Sequence, residues 1–450
     1  ALDRLPAHRL RFGTDGVRGH VGSELGEHDV ELIGVAVASE WPGTRVVMGH
    51  DGRESGPALL AAFARGAKSQ GNEVVNAGLL PTPALAHAAH SGDCIAVAIT
   101  ASHNPWHDNG VKVFAPGGRK LTDETQQRIE SHWHGQRASG DPAPSSLTGT
   151  ADVPTLDGSV GAAYIEAMTT TLNITSFTGT EVIVDCANGA TSSVAEQVTS
   201  ALGLRATILN DAPTGRNIND ACGATHPEGL AARCAERGVP GIAFDGDGDR
   251  LIAVDERGNV VDGDRLIALA AVDLHRRGEL RNDTVVVTSM TNLGFHRAMH
   301  REHITTVTTD VGDRAVLAAM EEGGFVLGGE QSGHIIHARY ATTGDGMLSA
   351  LLLLDLVRRS GGTLSALSDA VMTRMPQVLR SVRVTKNPKD VAAHIKADLA
   401  REEASLGDNG RIVVRASGTE PVVRIMVEAE SQSIADGVAE RLEQVVAAHS

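Results

Sequence analysis

Short apolar runs rich in β-branched residues alternate with longer amphipathic stretches along most of the chain. Runs such as Arg45–Gly49, Glu73–Val75 and Cys94–Ile99 predict buried strands. Between the first two runs, the stretch Pro57–Gln70 has the length and spacing of a helix. Strand–helix–strand order at this spacing is typical of the parallel sheets of α/β proteins. From Met375 onward the order changes to strand, helix, strand, turn, strand and helix, which predicts a smaller α+β unit.

The 450 residues exceed what one hydrophobic core holds, and the predicted elements group into three similar mixed α/β domains and a C-terminal α+β domain. A tract rich in Ser, Pro, Gly and Thr at 140–155 marks the first boundary. We predict domains over residues 1–152, 153–250, 251–370 and 371–450, each with one loop of chemical interest. The composition near the last boundary also predicts hinge motion about residues 360–376.

The net charge of −16 disfavours a nucleic-acid partner or an anionic membrane surface, because such partners need clustered Lys and Arg. An anionic substrate must therefore be held by a few local groups. The 50 glycines and the aromatic content of 3% are typical of a protein whose chemistry lies on tight loops between aliphatic elements.

The cysteines show no metal-binding spacing, so we expect buried free thiols in a reducing compartment at Cys94, Cys186, Cys222 and Cys234. The longest apolar stretch, Leu348–Val357, contains Asp355 and is too short to span a membrane. The N-terminus also lacks a basic start followed by an apolar region, and these features predict a cytoplasmic protein. One helical stretch lacks the Glu of a HExxH zinc site, so we expect a solvated helix face at His296, His300 and His303.

The loop Thr100–Pro105 follows the predicted strand Cys94–Ile99 and carries Ser102 next to His103. Its proline ends the strand and keeps the preceding residue out of the helical region, so Ser102 should lie just beyond a strand end. Ligands of open α/β sheets bind at such ends. A lone serine in this position is more often a turn former, and three further loops change that interpretation.

The second loop, Asp245–Arg250, places three carboxylates at alternate positions with glycines between them. The glycines let the chain curl so that the carboxylates converge on one cation, and these hard oxygens suit Mg²⁺ completed by a phosphate oxygen. An EF-hand loop is the strongest alternative, because Glu256 falls at the last ligand position of that motif. The alternative fails because Arg250 stands where the motif requires glycine, and because the flanking segments are predicted strands.

Two more loops suit the binding of a sugar phosphate. Arg415–Pro421 is by default a hairpin connection, yet its arginine, its hydroxyls, the N–H groups around its glycine and the nearby Arg424 suit a phosphate dianion. In Gly328–His334, Glu330 and Ser332 offer an acceptor and a donor to adjacent sugar hydroxyls, with a plain Gly-rich turn as the alternative. A reactive serine, a metal, a sugar-binding loop and a phosphate clamp together predict a phosphosugar mutase.

Through these four loops in this order, with Phe12–Gly19 as an accompanying motif, the chain resembles the α-phosphohexomutase family from about Phe12 to the C-terminus. The resemblance implies a heart-shaped fold of four domains around a central cleft. Gln331 and the segments Gly418–Glu420 and Val311–Arg314 are similar to the bacterial branch that acts on glucosamine phosphates. For that branch the resemblance implies an isomerase that converts glucosamine 6-phosphate to glucosamine 1-phosphate and feeds UDP-N-acetylglucosamine and cell-wall synthesis.

The resemblance also implies a role for each matching residue. Ser102 would be a phosphoserine that donates its phosphoryl group to give a sugar bisphosphate, which turns around and returns its other phosphate. Mg²⁺ would bind to the phosphoserine and to the carboxylates of Asp245, Asp247 and Asp249. Sugar hydroxyls would bind Glu330 and Ser332, and the distal phosphate would be held by Arg415, Ser417, Gly418, Thr419 and Arg424. The transfer site would be lined by Arg18, His103, Arg250, Lys112 and His334, of which the last two are the candidates for proton transfer.

Three alternatives stay open. A related hexose mutase would act on glucose or mannose phosphates, and departures at Ala315, at Trp106-His107 and in the segment 20–40 leave room for a changed sugar. A serine hydrolase or phosphatase that uses Ser102 would lack the GxSxG elbow, and a non-catalytic sensor is disfavoured because every chemical position is intact. The expected partners are a phosphosugar substrate and a sugar bisphosphate primer, without nucleic acid or membrane, and the sequence is compatible with a homodimer.

Overall fold

The structure is a computed structural model, and it describes residues 10–13, 16–139, 154–170, 177–416 and 421–449. The strands in these ranges form four sheets, which follow one another along the chain. The first three sheets are mixed and pack against helices, whereas the last is antiparallel. The predicted fold class of three mixed α/β domains and a C-terminal α+β domain is therefore confirmed. Residues 1–9 and most of the tract at 140–155, which the sequence predicts as the first boundary, lie outside the described residues.

The first domain contains a six-stranded sheet. Its elements are β1 (Val17–His20), α1 (Glu27–Glu40), β2 (Val46–His50), α2 (Gly56–Ser69), β3 (Val74–Leu79), α3 (Thr82–Gly92), β4 (Ile95–Ile99), β5 (Asp108–Ala115), β6 (Arg119–Lys120) and α4 (Asp123–Ser139). The strand order is β1-β5-β4-β2-β3, with β6 beside β5. Because β2 runs parallel to β4, the loops that follow these two strands leave the same edge of the sheet.

The apolar run of β4 is continuous because both faces of the strand are covered. Ile95, Val97 and Ile99 join the core that contains α1 and α2 side chains. Ala96 and Ala98 point the other way, into a core that contains side chains of α3. The buried strand therefore fixes the position of the serine loop that follows it.

The second domain contains a five-stranded sheet of order β11-β10-β9-β7-β8. Its elements are α5 (Ser159–Thr170), β7 (Glu181–Asp185), α6 (Ala195–Ala201), β8 (Arg205–Leu209), α7 (Glu228–Arg237), β9 (Gly241–Phe244), β10 (Leu251–Val254) and β11 (Val260–Val261). The sequence analysis assigned β10 and β11 to the third unit, and this assignment is wrong. The two strands extend the second sheet because β10 pairs antiparallel with β9, so the aspartate loop is the turn of a hairpin.

The third domain has the strand order β13-β12-β14-β15. Its elements are α8 (Gly263–Arg276), β12 (Thr284–Thr288), α9 (Leu293–Arg301), β13 (Thr305–Thr309), α10 (Asp313–Gly323), β14 (Leu327–Gly329), β15 (Ile335–His337), α11 (Gly346–Ser360) and α12 (Leu364–Val371). The last two strands pair antiparallel, with Gly329 opposite Ile335. The predicted sugar-binding residues therefore lie in the short connection between two buried strands.

The fourth domain is a three-stranded antiparallel sheet of order β16-β18-β17. Its elements are β16 (Gln377–Arg383), α13 (Pro388–His394), α14 (Lys396–Leu406), β17 (Gly410–Ala416), β18 (Val422–Ala429) and α15 (Gln432–His449). This is the predicted order of elements, except that two helices, α13 and α14, stand where one was predicted. The described residues of the predicted phosphate clamp lie on the two final strands, Arg415 on β17 and Arg424 on β18.

Several elements were not predicted from the sequence, among them β1, α3, α7, α10 and α12. The helix α3 is rich in alanine and has buried residues on several sides, so it lacks a clear amphipathic period. Its proline at the first turn also resembles a breaker, although proline fits that position of a helix.

The expected solvated histidine face is only partly correct. His300 and His303 are exposed, but α9 ends at Arg301, so the last histidine lies beyond the helix. His296 is half-buried with Nδ1 3.4 Å from Oγ1 of Thr306, and burial together with the charge of Arg411 lowers its pKa to about 4. The four cysteines are buried free thiols, as predicted. Within the described ranges, no helix combines the length and the apolar character that a membrane crossing requires.

Candidate active site

Described residues on or beside the four loops that the sequence analysis singled out line two adjoining cavities. The larger cavity, of about 640 Å³, is lined by the predicted residues Arg18, His103, Arg250, Glu330, Ser332, His334 and Arg424. The second, of about 420 Å³, is lined by Glu330, Ser332, Arg415 and Arg424. Glu330, Ser332 and Arg424 belong to both sets, so the two cavities adjoin at these residues. The structure thus brings described site residues from all four domains to these cavities.

Ser102 lies on the loop after β4, beside the larger cavity. Its Oγ donates a hydrogen bond of 2.6 Å to Oδ2 of Asp245 and lies 3.4 Å from Nδ1 of His103. The φ angle of Ser102 is +54°, in the left-handed region that favours glycine. A buried serine in this conformation is maintained only when its surroundings hold the main chain in place.

The three predicted metal ligands converge as the glycine spacing requires. One carboxylate oxygen from each of Asp245, Asp247 and Asp249 lies within 4.8 Å of the others, and all three residues are buried. Gly248 has a φ of +74°, and a Cβ there would lie 2.7 Å from Thr191 Cγ2. The aspartate loop therefore needs glycine at this position both for its conformation and for its packing.

The electrostatics of this cluster fit a metal ion. Burial and the neighbouring carboxylates of Asp247 and Asp249 raise the pKa of Asp245 to about 8. Among the described residues, Oδ1 of Asp247 and Oδ1 of Asp249 are buried without a hydrogen-bond partner. The three carboxylates repel one another, and a divalent cation bound to their hard oxygens would offset this repulsion.

Two cations offset part of the negative charge of the cluster. Lys112, opposite Ala98 in the sheet, donates from Nζ to Oδ2 of Asp247 and to Oδ2 of Asp249, at 2.8 Å each. Nε of Arg250 lies 4.0 Å from Asp245 and 3.9 Å from Asp249. Burial opposes the ionisation of Asp249, but its positively charged neighbours, Lys112 first, hold its pKa well below the usual range. This carboxylate is therefore anionic at neutral pH.

His103 is a neutral imidazole beside the serine. Burial, reinforced by the guanidinium groups of Arg250 and Arg18, lowers the pKa of His103 to about 4. Arg18 lies on β1, which pairs with β5 so that Arg18 is opposite Gly110. The motif Phe12–Gly19 thus overlaps the strand that carries this arginine.

His334 is held at both ring nitrogens. Its Nδ1 lies 3.7 Å from Oδ2 of Asp249, and its Nε2 accepts a hydrogen bond of 3.1 Å from the N–H of Gly344. Burial lowers the pKa of His334, but the carboxylates of Asp249 and Asp313 outweigh burial and raise it above its ordinary value. Because Nε2 accepts, a proton on the neutral ring lies on Nδ1 and faces the metal cluster.

The sugar loop presents its carboxylate in a fixed orientation. Oε1 of Glu330 accepts a hydrogen bond of 3.0 Å from the N–H of Gly312, and Glu330 and Ser332 both line the two cavities. The predicted acceptor and donor are therefore available to a bound molecule.

Arg415 and Arg424 form the described part of the predicted phosphate clamp. They are directly opposite each other in the ladder of β17 and β18, so their side chains lie on one face of the sheet. Like charges at such positions are unfavourable, and an anion between them reverses the sign of the interaction. The other predicted members, Ser417, Gly418 and Thr419, lie outside the described residues.

Two residues near the site were not predicted. Nζ of Lys120 on β6 pairs with the carboxylate of Asp313 at the start of α10, and this ion pair joins the first and third domains. Nε2 of His334 lies 3.9 Å from the same carboxylate. The sequence analysis noted Val311–Arg314 only as a family similarity, because no local pattern connects a lysine with an aspartate so far along the chain.

Profiles of a known family match most of the chain. Those described as phosphoglucomutase/phosphomannomutase alpha/beta/alpha domains I, II and III match residues 9–139, 162–258 and 262–375. The profile of the phosphoglucomutase/phosphomannomutase C-terminal domain matches residues 379–445.

Curated relatives match over nearly their full length. A phosphoglucosamine mutase of Frankia alni is 45% identical over 454 residues, covering 97% of this chain and 98% of the relative. A phosphoglucosamine mutase of Bacillus velezensis is 42% identical over 445 residues, with coverages of 97% and 98%.

Solved structures have the same fold. A phosphoglucomutase/phosphomannomutase family protein from Burkholderia thailandensis matches with a TM-score of 0.78 at 25% identity, covering 97% of each chain. Aspergillus fumigatus N-acetylphosphoglucosamine mutase, solved with GlcNAc-6P and magnesium, matches with a TM-score of 0.70 at 20% identity. The latter match covers 99% of this chain and 96% of that chain, and it supports the fold alone.

Proposed function

Because the chain belongs to the phosphoglucomutase/phosphomannomutase family, we propose that it is a phosphomutase that interconverts glucosamine 6-phosphate and glucosamine 1-phosphate. The observation that carries this proposal is the contact between Oγ of Ser102 and Oδ2 of Asp245, 2.6 Å apart. A hydroxyl at a metal-binding carboxylate, beside a cavity with a sugar loop and two arginines, suits phosphoryl transfer to and from a phosphorylated sugar.

In the proposed reaction, the phosphoserine form of Ser102 gives its phosphoryl group to the free hydroxyl of the bound sugar phosphate. The bond between Oγ and phosphorus breaks, a bond between phosphorus and the sugar oxygen forms, and the sugar hydroxyl gives up its proton. Lys112 and His334 both adjoin the carboxylate cluster, and one of them, in its neutral form, is the proposed acceptor of that proton. The bisphosphate then turns around, its other phosphate returns to Oγ, and the released sugar oxygen takes a proton.

We propose Mg²⁺ as the metal, held by Asp245, Asp247, Asp249 and the phosphoserine. When bound, the ion would supply positive charge to the transferring phosphoryl group. Three oxygen ligands with room for an outside oxygen are typical of Mg²⁺, and the Aspergillus relative was solved with magnesium.

The other end of the substrate would be held by the sugar loop and the clamp. Glu330 and Ser332 would bind the sugar hydroxyls, and the distal phosphate would bind Arg415 and Arg424 together with Ser417, Gly418 and Thr419. The names of the curated relatives support the amino sugar as the substrate. A cytoplasmic location and a homodimer are also proposed, the first because the buried free cysteines suit a reducing compartment.

The deciding experiment compares turnover of glucosamine, glucose and mannose 6-phosphates, with Mg²⁺ and the matching bisphosphate primer. We expect the highest kcat/KM for glucosamine 6-phosphate. Equal turnover of the three sugars would overturn the amino-sugar assignment and favour a general hexose mutase. Steady release of inorganic phosphate without isomerisation would instead indicate a phosphatase.

A further inference from the structure

Arg53 lies on the loop after β2 and is buried behind the serine loop. Its Nη2 donates to the carbonyl oxygens of Ser102 and Asn104, at 2.9 Å each. Its Nη1 donates to the carbonyl oxygens of Pro105 and Asp108. Since Nε donates 2.8 Å to Oδ2 of Asp51, all five N–H donors of the guanidinium are used, four of them on one short loop.

The second domain also contacts the serine loop. Nδ2 of Asn219 donates to the carbonyl oxygens of Ser102 at 2.9 Å and Asn104 at 3.2 Å. A Cβ on Gly246 of the aspartate loop would lie 2.6 Å from the carbonyl oxygen of Ser102. That oxygen is therefore enclosed by Arg53, an amide of the second domain and the main chain of the metal loop.

A third link fixes the N–H of the serine. The N–H of Ser102 donates 2.8 Å to Oγ1 of Thr100, and this hydroxyl donates 2.6 Å to Oδ2 of Asp51. The carboxylate of Asp51 also binds Nε of Arg53. The N–H and the carbonyl of Ser102 are thus both tied to one buried ion pair, which explains how a serine is held at a φ of +54°.

We propose that Arg53, with Asn219, is a positioning residue for phosphoryl transfer: it holds the Ser102 main chain in the left-handed conformation that aims Oγ at the metal-binding carboxylates. Arg53 does not line the larger cavity, so it acts through Ser102 and not on the substrate. The inference rests on the proposed function, because the step that Arg53 and Asn219 would affect is phosphoryl transfer at Ser102. It predicts an effect on transfer and none on sugar or distal-phosphate binding.

The planar fork of arginine is what the loop requires. A lysine at position 53 keeps the positive charge, but its single ammonium group has three donors and cannot reach four carbonyl oxygens at once. We expect Arg53→Lys to lower kcat, and the rate at which a hexose bisphosphate phosphorylates Ser102, by about 10²-fold, because small displacements of a reacting group have effects of this size. KM should stay within about 3-fold of the original value, since the residues that bind the substrate are intact.

Asn219→Gly is the second variant. Asn219 has a φ of +57°, which glycine adopts without strain, so this change removes the amide and keeps the backbone. We expect it to lower kcat and the loading rate by about 10-fold, again without a change in KM. Matched controls are Arg65→Lys, which alters another arginine–carboxylate pair of the first domain, and Asn210→Gly, at another left-handed asparagine of the second domain. Both controls should retain full kcat.

The measurements are intact-protein mass against time after addition of glucose 1,6-bisphosphate, steady-state kcat and KM, and thermal unfolding to correct for the folded fraction. Wild-type protein that never takes up phosphate would overturn the proposed function itself. Wild-type loading with unchanged loading in both variants would overturn only the role of Arg53 and Asn219. A fall in kcat no larger than the loss of folded protein, or an equal effect in the controls, would show that Arg53 and Asn219 only stabilise the fold. If Arg53→Lys does not fold, Asn219→Gly decides by the same criteria.

Discussion

The hydroxyl of Ser102 donates a hydrogen bond of 2.6 Å to the carboxylate of Asp245, a residue 143 positions further along the chain. One residue follows β4 of the first sheet and the other follows β9 of the second. A neighbouring contact crosses the same boundary, because Thr82 donates from its N–H and its Oγ1 to Asp247. The serine and the metal ligands are therefore assembled by the docking of two domains.

We expect Ser102→Ala to abolish phosphorylation and to lower mutase activity by more than about 10³-fold, because the variant lacks the oxygen that carries the phosphoryl group. Intact-protein mass after incubation with a hexose bisphosphate should show one phosphate on the wild-type protein and none on the variant. Ser131→Ala, on the exposed face of α4, is the control and should take up phosphate normally. Phosphate that persists in Ser102→Ala would place the modification at another residue.

Binding of Mg²⁺ should stabilise the protein, since it relieves the repulsion among three buried carboxylates. At about 100 times its dissociation constant, the ion should add about 3 kcal/mol to the free energy of unfolding. Asp247→Asn removes one ligand, so the rise of Tm on addition of Mg²⁺ should shrink or vanish, and EDTA should inactivate the wild-type enzyme reversibly. Asp211→Asn, at an exposed position of the same domain, should respond to Mg²⁺ as the wild type does. An unchanged response in Asp247→Asn would count against the metal site.

The sequence indicated which loops contribute to the candidate site, but it gave little sign of the contacts that support those loops. Ser102, the aspartates and Glu330 could be found because each follows an apolar strand and belongs to a compact local motif. Arg53 was not predicted, because its four carbonyl partners lie about fifty positions away and carry no side-chain signature. The parallel pairing of β2 with β4 is the signal that could have found it, since both loops leave one sheet edge.

Acid should destabilise the protein through His337. Burial lowers its pKa from the ordinary 6.5 to about 4 in the folded state, whereas the unfolded chain retains the ordinary value. Between these values the unfolded state binds a proton that the folded state does not. The contribution of neutral His337 to the free energy of unfolding is therefore fully present above pH 6.5 and is lost as the pH falls to 4. The total loss from this group is about 3 kcal/mol.

Urea unfolding at several pH values measures this effect. His337→Gln should make the free energy of unfolding less dependent on pH, by the contribution of one histidine. His300→Gln, at an exposed position of α9, should leave that dependence nearly unchanged. An identical pH profile for His337→Gln and the wild type would show that the acid sensitivity comes from other groups.

The fourth domain docks on the third through Asn292, the N-cap residue of α9. Its side chain accepts from the N–H of Met375 and donates to the carbonyl of Met375 and to Glu428 of β18, at 2.9, 3.0 and 3.1 Å. Met375 lies in the predicted hinge at 360–376, so this contact joins the two domains at the place where rotation is predicted. Asn292→Ala should therefore uncouple the domain and lower its stability by about 2–4 kcal/mol, because buried polar groups lose their partners.

Scanning calorimetry should show an early transition of the fourth domain in Asn292→Ala, and limited proteolysis should cut near the hinge. The control is Asn387→Ala, which removes the cap of α13 within the fourth domain and should cost about 1 kcal/mol without separating the transitions. One cooperative transition in Asn292→Ala, at the wild-type temperature, would contradict the docking role.

Arg424 should contribute to substrate binding and little to transfer. It lines both cavities, and Arg415, opposite it in the sheet, lines the second cavity together with the predicted sugar-binding residues Glu330 and Ser332. A charge-assisted bond to a phosphate is worth about 1.5–3 kcal/mol, so Arg424→Gln should raise KM about 10–100-fold with a smaller change in kcat. Arg441→Gln, on α15 of the same domain and paired with Glu402 of α14, tests whether loss of any arginine of this domain has the same effect. Because Ser102 is untouched, loading from saturating bisphosphate should still go to completion in Arg424→Gln, and a loss of loading at saturation would instead connect Arg424 with the transfer step.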